Sequence, residues 1–176
     1  MKTGRTILSA IGVAAALVVA MFVVQSCGIY SFTGTSIQPD VQTVTINYFE
    51  YQALKVNPSL SNDLTTALQD KFLKLTKLEQ VDMDGDLEIT GAVIGYDVKA
   101  TAITANEQAA QNRLTVSVKI SFTNRKYPED DFQDKSFSAY ADFDAMQQLD
   151  AVEASLCEEI IEQLCDDMFN ATVANW

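Results

Sequence analysis

A strict alternation of apolar and polar side chains runs through residues 114–123. The two sets occupy alternate positions: Leu114, Val116, Val118, Ile120 and Phe122 are apolar, and Thr115, Ser117, Lys119, Ser121 and Thr123 are polar. Successive side chains of a strand point to opposite faces of its sheet. One face of this sheet must therefore be buried and the other must contact water, as in many antiparallel sheets. The fold has to supply a second layer that covers the apolar face.

Three further segments, residues 41–51, 87–101 and 137–143, have the pattern of strands. In the first, Val44, Ile46 and Tyr48 share one face, which we expect to be buried. In the second, the apolar positions change parity near Gly91 and Gly95, which predicts a bulge or sharp bend. Polar segments at 105–112 and 125–135 predict the loops between the last three strands. These strands are therefore expected to form an antiparallel meander.

Residues 60–78 and 149–169 repeat apolar side chains at intervals of three and four, as amphipathic helices do. The first helix follows Asn57-Pro58-Ser59, and we expect Ser59 or Ser61 to cap it. The element order is then β-α-β-β-β-α, with a crossover connection between the first two strands. We predict an α+β two-layer sandwich. Two helices cover one face of a four-stranded, mixed but mostly antiparallel sheet.

The N-terminus has the order of a secretory signal. Lys2 and Arg5 precede an apolar run over residues 7–24, and Val24, Ser26 and Cys27 fit a lipobox. We expect cleavage between Ser26 and Cys27, with diacylglyceryl and N-acyl groups on Cys27 that anchor the protein to a membrane. The predicted parts are a signal at 1–26, a lipidated tether at 27–40 and the sandwich domain at 41–176. An uncleaved membrane-spanning helix and an ordinary cleaved signal remain alternatives.

Composition excludes several classes of function. The predicted signal holds two of the 12 Lys and Arg residues and none of the 24 acids, so the mature chain has a formal charge of −14. Such a surface repels nucleic acid, and no nucleic-acid partner is expected. The chain has no histidine, which removes the commonest general base and metal ligand. We therefore expect neither enzymatic activity nor a cofactor or metal.

Two smaller features have plain structural interpretations. Asp82, Asp84, Asp86 and Glu88 alternate around Gly85 as in some calcium sites, but the segment lacks the spacing of an EF-hand loop, and a turn is the better interpretation. Cys157 and Cys165 are eight residues apart on one predicted helix. That spacing is about 12 Å, which is too far for a disulfide. We expect both thiols to pack as small apolar groups, with an intermolecular disulfide as the alternative.

Three basic residues lie in or beside the predicted sheet: Lys99, Arg113 and Lys119. The simpler interpretation is a solvated strand face. The functional interpretation is a group of cations that contacts the anionic head group of a ligand.

Six segments, considered together and in order, cover essentially the whole predicted mature chain: 27–32, 43–50, 60–72, 86–91, 110–116 and 174–176. In their order and wording they resemble the LptE family of lipopolysaccharide-assembly lipoproteins. The resemblance implies an outer-membrane lipoprotein that faces the periplasm. Members of the family form a two-helix, four-stranded sandwich inside the barrel of LptD, support its assembly and help deliver lipopolysaccharide to the cell surface.

The resemblance carries Cys27 over as the lipid anchor. It associates direct lipopolysaccharide binding with basic positions, and no basic motif of this acidic chain matches them residue by residue. Lys99, Arg113 and Lys119 are therefore the candidate ligand contacts. The expected partners are an LptD-like barrel, lipopolysaccharide and the membrane that holds the anchor. The alternative is a free periplasmic lipoprotein that binds an amphiphile or a soluble partner.

Overall fold

A computed structural model describes residues 37–101 and 111–174. The expected signal and tether start, including Ser26 and Cys27, lie outside the described residues. So do most of the predicted loop at 105–112 and the last two residues. The stretch Gly34–Trp176 forms one compact unit. No helix within the described ranges is both long and apolar enough to cross a membrane.

The described residues form six strands and two long helices. In chain order they are β1 (Thr43–Ile46), β2 (Glu50–Tyr51), α1 (Leu60–Leu75), β3 (Glu79–Gln80), β4 (Leu87–Thr101), β5 (Gln111–Asn124), β6 (Phe132–Asp144) and α2 (Leu149–Val173). A short 3₁₀ helix, Pro128–Asp130, precedes β6. The two-layer α+β class is confirmed. The number of strands differs from the prediction because β3 adds a parallel partner to β1 and the first predicted strand is split in two.

The sheet has the order β3-β1-β4-β5-β6, and β2 also pairs with β4. The crossover through α1 makes β1 parallel to β4, with Val44 opposite Leu87 and Ile46 opposite Ile89. The strands β4, β5 and β6 form the predicted antiparallel meander. A register shift between Val93 and Gly95 confirms the predicted bulge in β4. β6 is a long edge strand.

The first predicted strand is interrupted, and the prediction that Tyr48 is buried is wrong. Tyr48 is 60% exposed, whereas Phe49 is completely buried. The Phe49 N–H leaves the sheet and donates to the Thr65 hydroxyl of α1 at 3.1 Å. The Asn47 N–H still donates to the Ile89 carbonyl at 2.9 Å. Between these two hydrogen bonds the alternation of buried and exposed side chains shifts by one residue. The shift directs the Phe49 side chain into the core.

The predicted cap of α1 is also wrong. Ser59 makes no side-chain cap hydrogen bond, and Ser61 is buried inside the helix. The Asn57 side-chain oxygen instead accepts hydrogen bonds from the N–H groups of Ser59 and Leu60, both at 3.2 Å. Asn57 can do this because Asn side chains readily accept bonds from backbone groups two or three residues on.

The core lies between the sheet and the two helices. Its largest completely or almost completely buried side chains include Leu64, Leu68 and Phe72 of α1 and Ile160 and Leu164 of α2. The stripe of α1 is shorter than predicted, because Leu75 is 47% exposed and the helix ends there. The helices are parallel, since Asn57 at the start of α1 contacts Glu153 near the start of α2, and Phe72 and Phe169 meet near their ends.

Candidate functional site

The outer face of the sheet, opposite the helices, carries all three candidate cations. Lys99 of β4 lies directly opposite Arg113 of β5, and Arg113 lies opposite Asp142 of β6. Lys119 is six residues further along β5 on the same face. The structure thus brings Lys99 and Arg113 together, whereas Lys119 is separated from them by about 20 Å at the rise of a strand.

Arg113 is the most constrained of the three cations. Its Nε and one terminal nitrogen donate to the two carboxylate oxygens of Asp142 at 2.7 and 2.8 Å. Its guanidinium carbon lies 3.7 Å from the centre of the Tyr140 ring. The hydrogen bond raises the pKa of Arg113 and lowers the pKa of Asp142. This planar, two-point contact is specific to arginine.

Each of the other two cations also has an aspartate partner. Lys99 lies 2.9 Å from Asp97, whose pKa this hydrogen bond lowers. Lys119 lies 3.1 Å from Asp134. Hydroxyl side chains also lie on this face, including Ser117 and Ser138, whose oxygens are 2.7 Å apart. The outer face is therefore polar and charge-compensated rather than a basic patch.

The three aspartates are functional candidates that the sequence analysis missed. Asp142 and Asp134 are distant in sequence from their cations and are found only when the register of β5 and β6 is known. Asp134 adopts a positive φ of 54°, next to the register shift between Ile120 and Phe122. Asp97 is two residues from Lys99, which is the same-face spacing of a strand and was a readable signal.

The acidic segment before β4 is a turn, as predicted. Arg125 donates to Asp84 at 2.8 Å and to Glu88 at 2.9 Å. Asp86 accepts from the backbone N–H of Gln42 at 2.7 Å, and this bond lowers its pKa. Within the described ranges no cluster of acids, histidines or cysteines could hold a metal ion. Hydrogen bonds and ion pairs within the protein occupy three of these carboxylates.

The solvent side of the helix pair has a second feature, a groove of about 1120 Å³ between α1 and α2. We call it the helix groove. Its floor includes Cys157 and Cys165, both buried and unpaired. Burial raises the pKa of Cys157 to about 11 and that of Cys165 to about 12. The prediction that the thiols pack as apolar groups is confirmed.

Polar contacts join the two helices and the sheet at one end of the helix groove. Glu153 of α2 accepts hydrogen bonds from the Tyr96 hydroxyl of β4 and from the Asn57 side chain, the latter at 3.1 Å. Burial, with the bond to Glu153, raises the pKa of Tyr96. Tyr96 is therefore neutral throughout the physiological pH range, and its hydroxyl donates a hydrogen bond to Glu153.

The described sandwich matches a family model over residues 41–172, described as lipopolysaccharide assembly. The chain belongs to the LptE family. Membership supports a role in lipopolysaccharide assembly, and the lipoproteins of this family are non-enzymatic and envelope-associated. No curated protein matches the chain.

Several solved structures are similar to the chain at low sequence identity. A hypothetical protein of Chlamydia trachomatis matches with a TM-score of 0.50 and 8% identity, over 76% of this chain and 99% of that one. An uncharacterized lipoprotein B from Nitrosomonas europaea has a TM-score of 0.49 and 10% identity, over 75% and 85% of the two chains. A minor lipoprotein of Acinetobacter baumannii has a TM-score of 0.43 and 13% identity, over 69% and 89%. The first of these supports the sandwich fold.

Proposed function

We propose that this LptE-family chain is the lipoprotein partner of an LptD-like outer-membrane barrel. In this proposal it plugs the barrel, supports its assembly and assists the transport and insertion of lipopolysaccharide. Lipids on Cys27 anchor it on the periplasmic side. The observation that carries the proposal is the charge-compensated, hydroxyl-rich outer face of the sheet in a chain of this family.

The chemistry of the outer face fits the interior of a barrel. The lumen of an outer-membrane barrel is polar, so a plug must offer polar groups without burying unpaired charge. Here Arg113 and Asp142 compensate each other, as do Lys119 and Asp134. Such a face enters a confined polar space at a small electrostatic cost.

The length of the sandwich also fits. β5 has 14 residues, which at about 3.4 Å each extend for roughly 45 Å. The apolar band of an outer-membrane barrel is about 25 Å tall. A sandwich aligned with the barrel axis would occupy the whole depth of the lumen.

Direct contact with lipopolysaccharide is part of the proposal. Lys99 and Arg113 are neighbours across β4 and β5, and an anionic head group would have to take the place of Asp97 or Asp142 beside them. Exchange of one carboxylate for a phosphate needs little movement, because both groups accept the same donors.

The decisive experiment is purification of the tagged, full-length protein from its native membrane in mild detergent. We expect a large outer-membrane barrel in near-stoichiometric amount. Recovery of the protein alone, with a bound amphiphile or with soluble proteins, would favour the free lipoprotein instead. Mass spectrometry of the N-terminal peptide checks the anchor. We expect diacylglyceryl and N-acyl groups on Cys27, and neither group in a Cys27→Ser variant.

The ligand contact needs its own test. The variants Lys99→Gln and Arg113→Gln should weaken binding of purified lipopolysaccharide to the isolated protein, each by roughly tenfold for a lost charge-assisted contact. Lys77→Gln removes the same charge from an exposed position just after α1 and serves as the control. Equal affinities for all three variants would exclude these cations as the ligand contact.

A further inference from the structure

The helix groove combines an apolar floor with an acidic rim. Ile161 and the two cysteines, all buried, contribute to the floor, and the exposed Ala154 also lines the groove. Six acids line the groove against two lysines: Asp63, Asp70, Asp150, Glu153, Glu158 and Glu162 are the acids. An open groove of about 1120 Å³ between two helices has room for side chains of a polypeptide segment, which suits the helix-in-groove and extended-peptide modes of recognition.

The two lysines neutralise only a small part of this rim. Lys71 pairs with Asp166, which is outside the groove lining, and Lys74 lies 3.5 Å from Asp70. Among the described residues, no lysine or arginine lies within ion-pair distance of Glu158 or Glu162. The outer face of the sheet differs, because its charges are compensated. The net negative charge of the chain is therefore locally uncompensated along this groove.

The charge of the groove selects among occupants. A second copy of this chain would bring another acidic groove or a neutral sheet face. Nucleic acid and the phosphate groups of lipopolysaccharide are anionic and are repelled. A segment with Lys or Arg side chains spaced between apolar ones complements both the rim and the floor, and charge complementarity of this kind selects partners and orients them.

We propose that the helix groove binds a cationic, amphipathic polypeptide segment of a partner protein. Its apolar side chains lie on the floor beside Ala154 and Ile161, and its cations contact Glu158 and Glu162. The inference rests on the proposed function only for the identity of the chain that supplies the segment, which is then the barrel. Lipopolysaccharide stays on the opposite face of the molecule.

Site-specific photocrosslinking in the native membrane tests the inference with the full-length lipidated protein. A benzophenone amino acid replaces Ala154, which lines the groove, and in a control replaces Ala151, which is exposed on α2 outside the groove. We expect Ala154→benzoylphenylalanine to link to a peptide of another protein that contains Lys or Arg. Crosslinks of equal yield from both positions, a link to a second copy of this chain, a link to a peptide without cations, or no peptide at all would overturn the proposal.

Matched charge reversals separate a local contact from a long-range effect. The double variant Glu158→Lys, Glu162→Lys reverses the charge of two rim residues. The double variant Glu159→Lys, Asp167→Lys makes the same change of net charge outside the groove. The rim pair should lower the yield from Ala154 on the order of tenfold, because like charges then face each other. The control pair should leave it within about twofold. Equal losses from the two pairs would overturn the proposal.

The test of the groove and the test of the proposed function rest on different measurements. Circular dichroism and the melting temperature of each purified variant establish that its fold is intact before crosslinking is compared. The identity of the crosslinked chain tests the proposed function, since it is either the barrel or another protein. The dependence of the crosslink on Glu158 and Glu162 tests the groove whichever protein is found.

Discussion

Asn57 connects the two helices through one side chain, and its replacement gives the sharpest test of the local structure. Its oxygen caps α1 through the N–H groups of Ser59 and Leu60. Its nitrogen donates to Glu153 of α2 at 3.1 Å. Asn57 itself is 8% exposed. The Asn57→Ala variant loses both functions at once.

The expected loss of stability has two contributions, one from the helix cap and one from the hydrogen bond to Glu153. Loss of an Asn cap costs about 1 kcal/mol. Loss of a hydrogen bond to a charged group costs about 1.5 kcal/mol, reduced here because Glu153 keeps its bond from Tyr96. We expect Asn57→Ala to lower the free energy of unfolding by about 2 kcal/mol, which lowers the melting temperature by roughly 4–8 °C for a domain of this size.

Urea unfolding of the unlipidated chain from Gly28 onward, followed by circular dichroism, measures the change. Ser59→Ala is the matched control. It removes the bond from the exposed Ser59 hydroxyl to the Asn57 oxygen at 3.2 Å but leaves both N–H bonds of the cap, so its cost should stay below about 0.5 kcal/mol. In a Glu153→Ala background, the cost of Asn57→Ala should fall towards the cap alone. A loss for Ser59→Ala as large as that for Asn57→Ala would refute the assignment of the cap. An unchanged cost in the Glu153→Ala background would refute the bridge.

Three further predictions concern stability and reactivity. Gly91→Ala should destabilise the domain by about 2 kcal/mol in urea unfolding, because the added Cβ would lie 2.8 Å from a backbone oxygen. Gly95→Ala, whose Cβ would meet a side chain at 3.1 Å, should cost clearly less, and equal costs would contradict this account. Asp86 has a lowered pKa in the folded protein, so its stabilisation is present above its unfolded pKa of about 3.9 and is lost as the pH falls through the folded value. Asp86→Asn should therefore be less stable than wild type at pH 7, with the difference fading below about pH 4 in urea titrations. Cys157 and Cys165, buried and with raised pKa values, should react slowly with a maleimide at pH 7 and fast in urea, and rapid labelling of the native protein would contradict their burial.

Most of the two-layer arrangement could be predicted from the sequence, because the spacing of apolar residues along a strand or helix indicates which face is buried. The alternation at 114–123 and the stripe of α2 needed no tertiary information, and both were confirmed. The break after Ile46 could not be predicted, because it depends on a hydrogen bond between Phe49 and Thr65 that exists only once α1 has packed. The strand β3 was not predicted either, because two residues are too few to show an alternating pattern.

The candidate site was predicted only in part. The three cations were identified from residue type and position on a strand. The neutralisation of Arg113 by Asp142 and of Lys119 by Asp134 could not be predicted, because it follows from the register of β6 against β5. The helix groove was hidden as well, since it requires the two helices to be parallel and adjacent. The acids of α2 are evident in the sequence, but their division between the groove and the far side of the helix is a property of packing.

The edge strand β6 has a consequence for copies of the protein that have not yet met a partner. Its 13 residues end the sheet with a row of backbone groups that no further strand pairs within the described ranges. Such an edge invites association with other extended chains. Here Asp134, Asp142 and Asp144 lie exposed along it, and the irregular register near Asp134 distorts its beginning. Pairing of two such edges would strip water from these charged side chains, so copies of the protein that lack a partner are expected to resist edge-to-edge association.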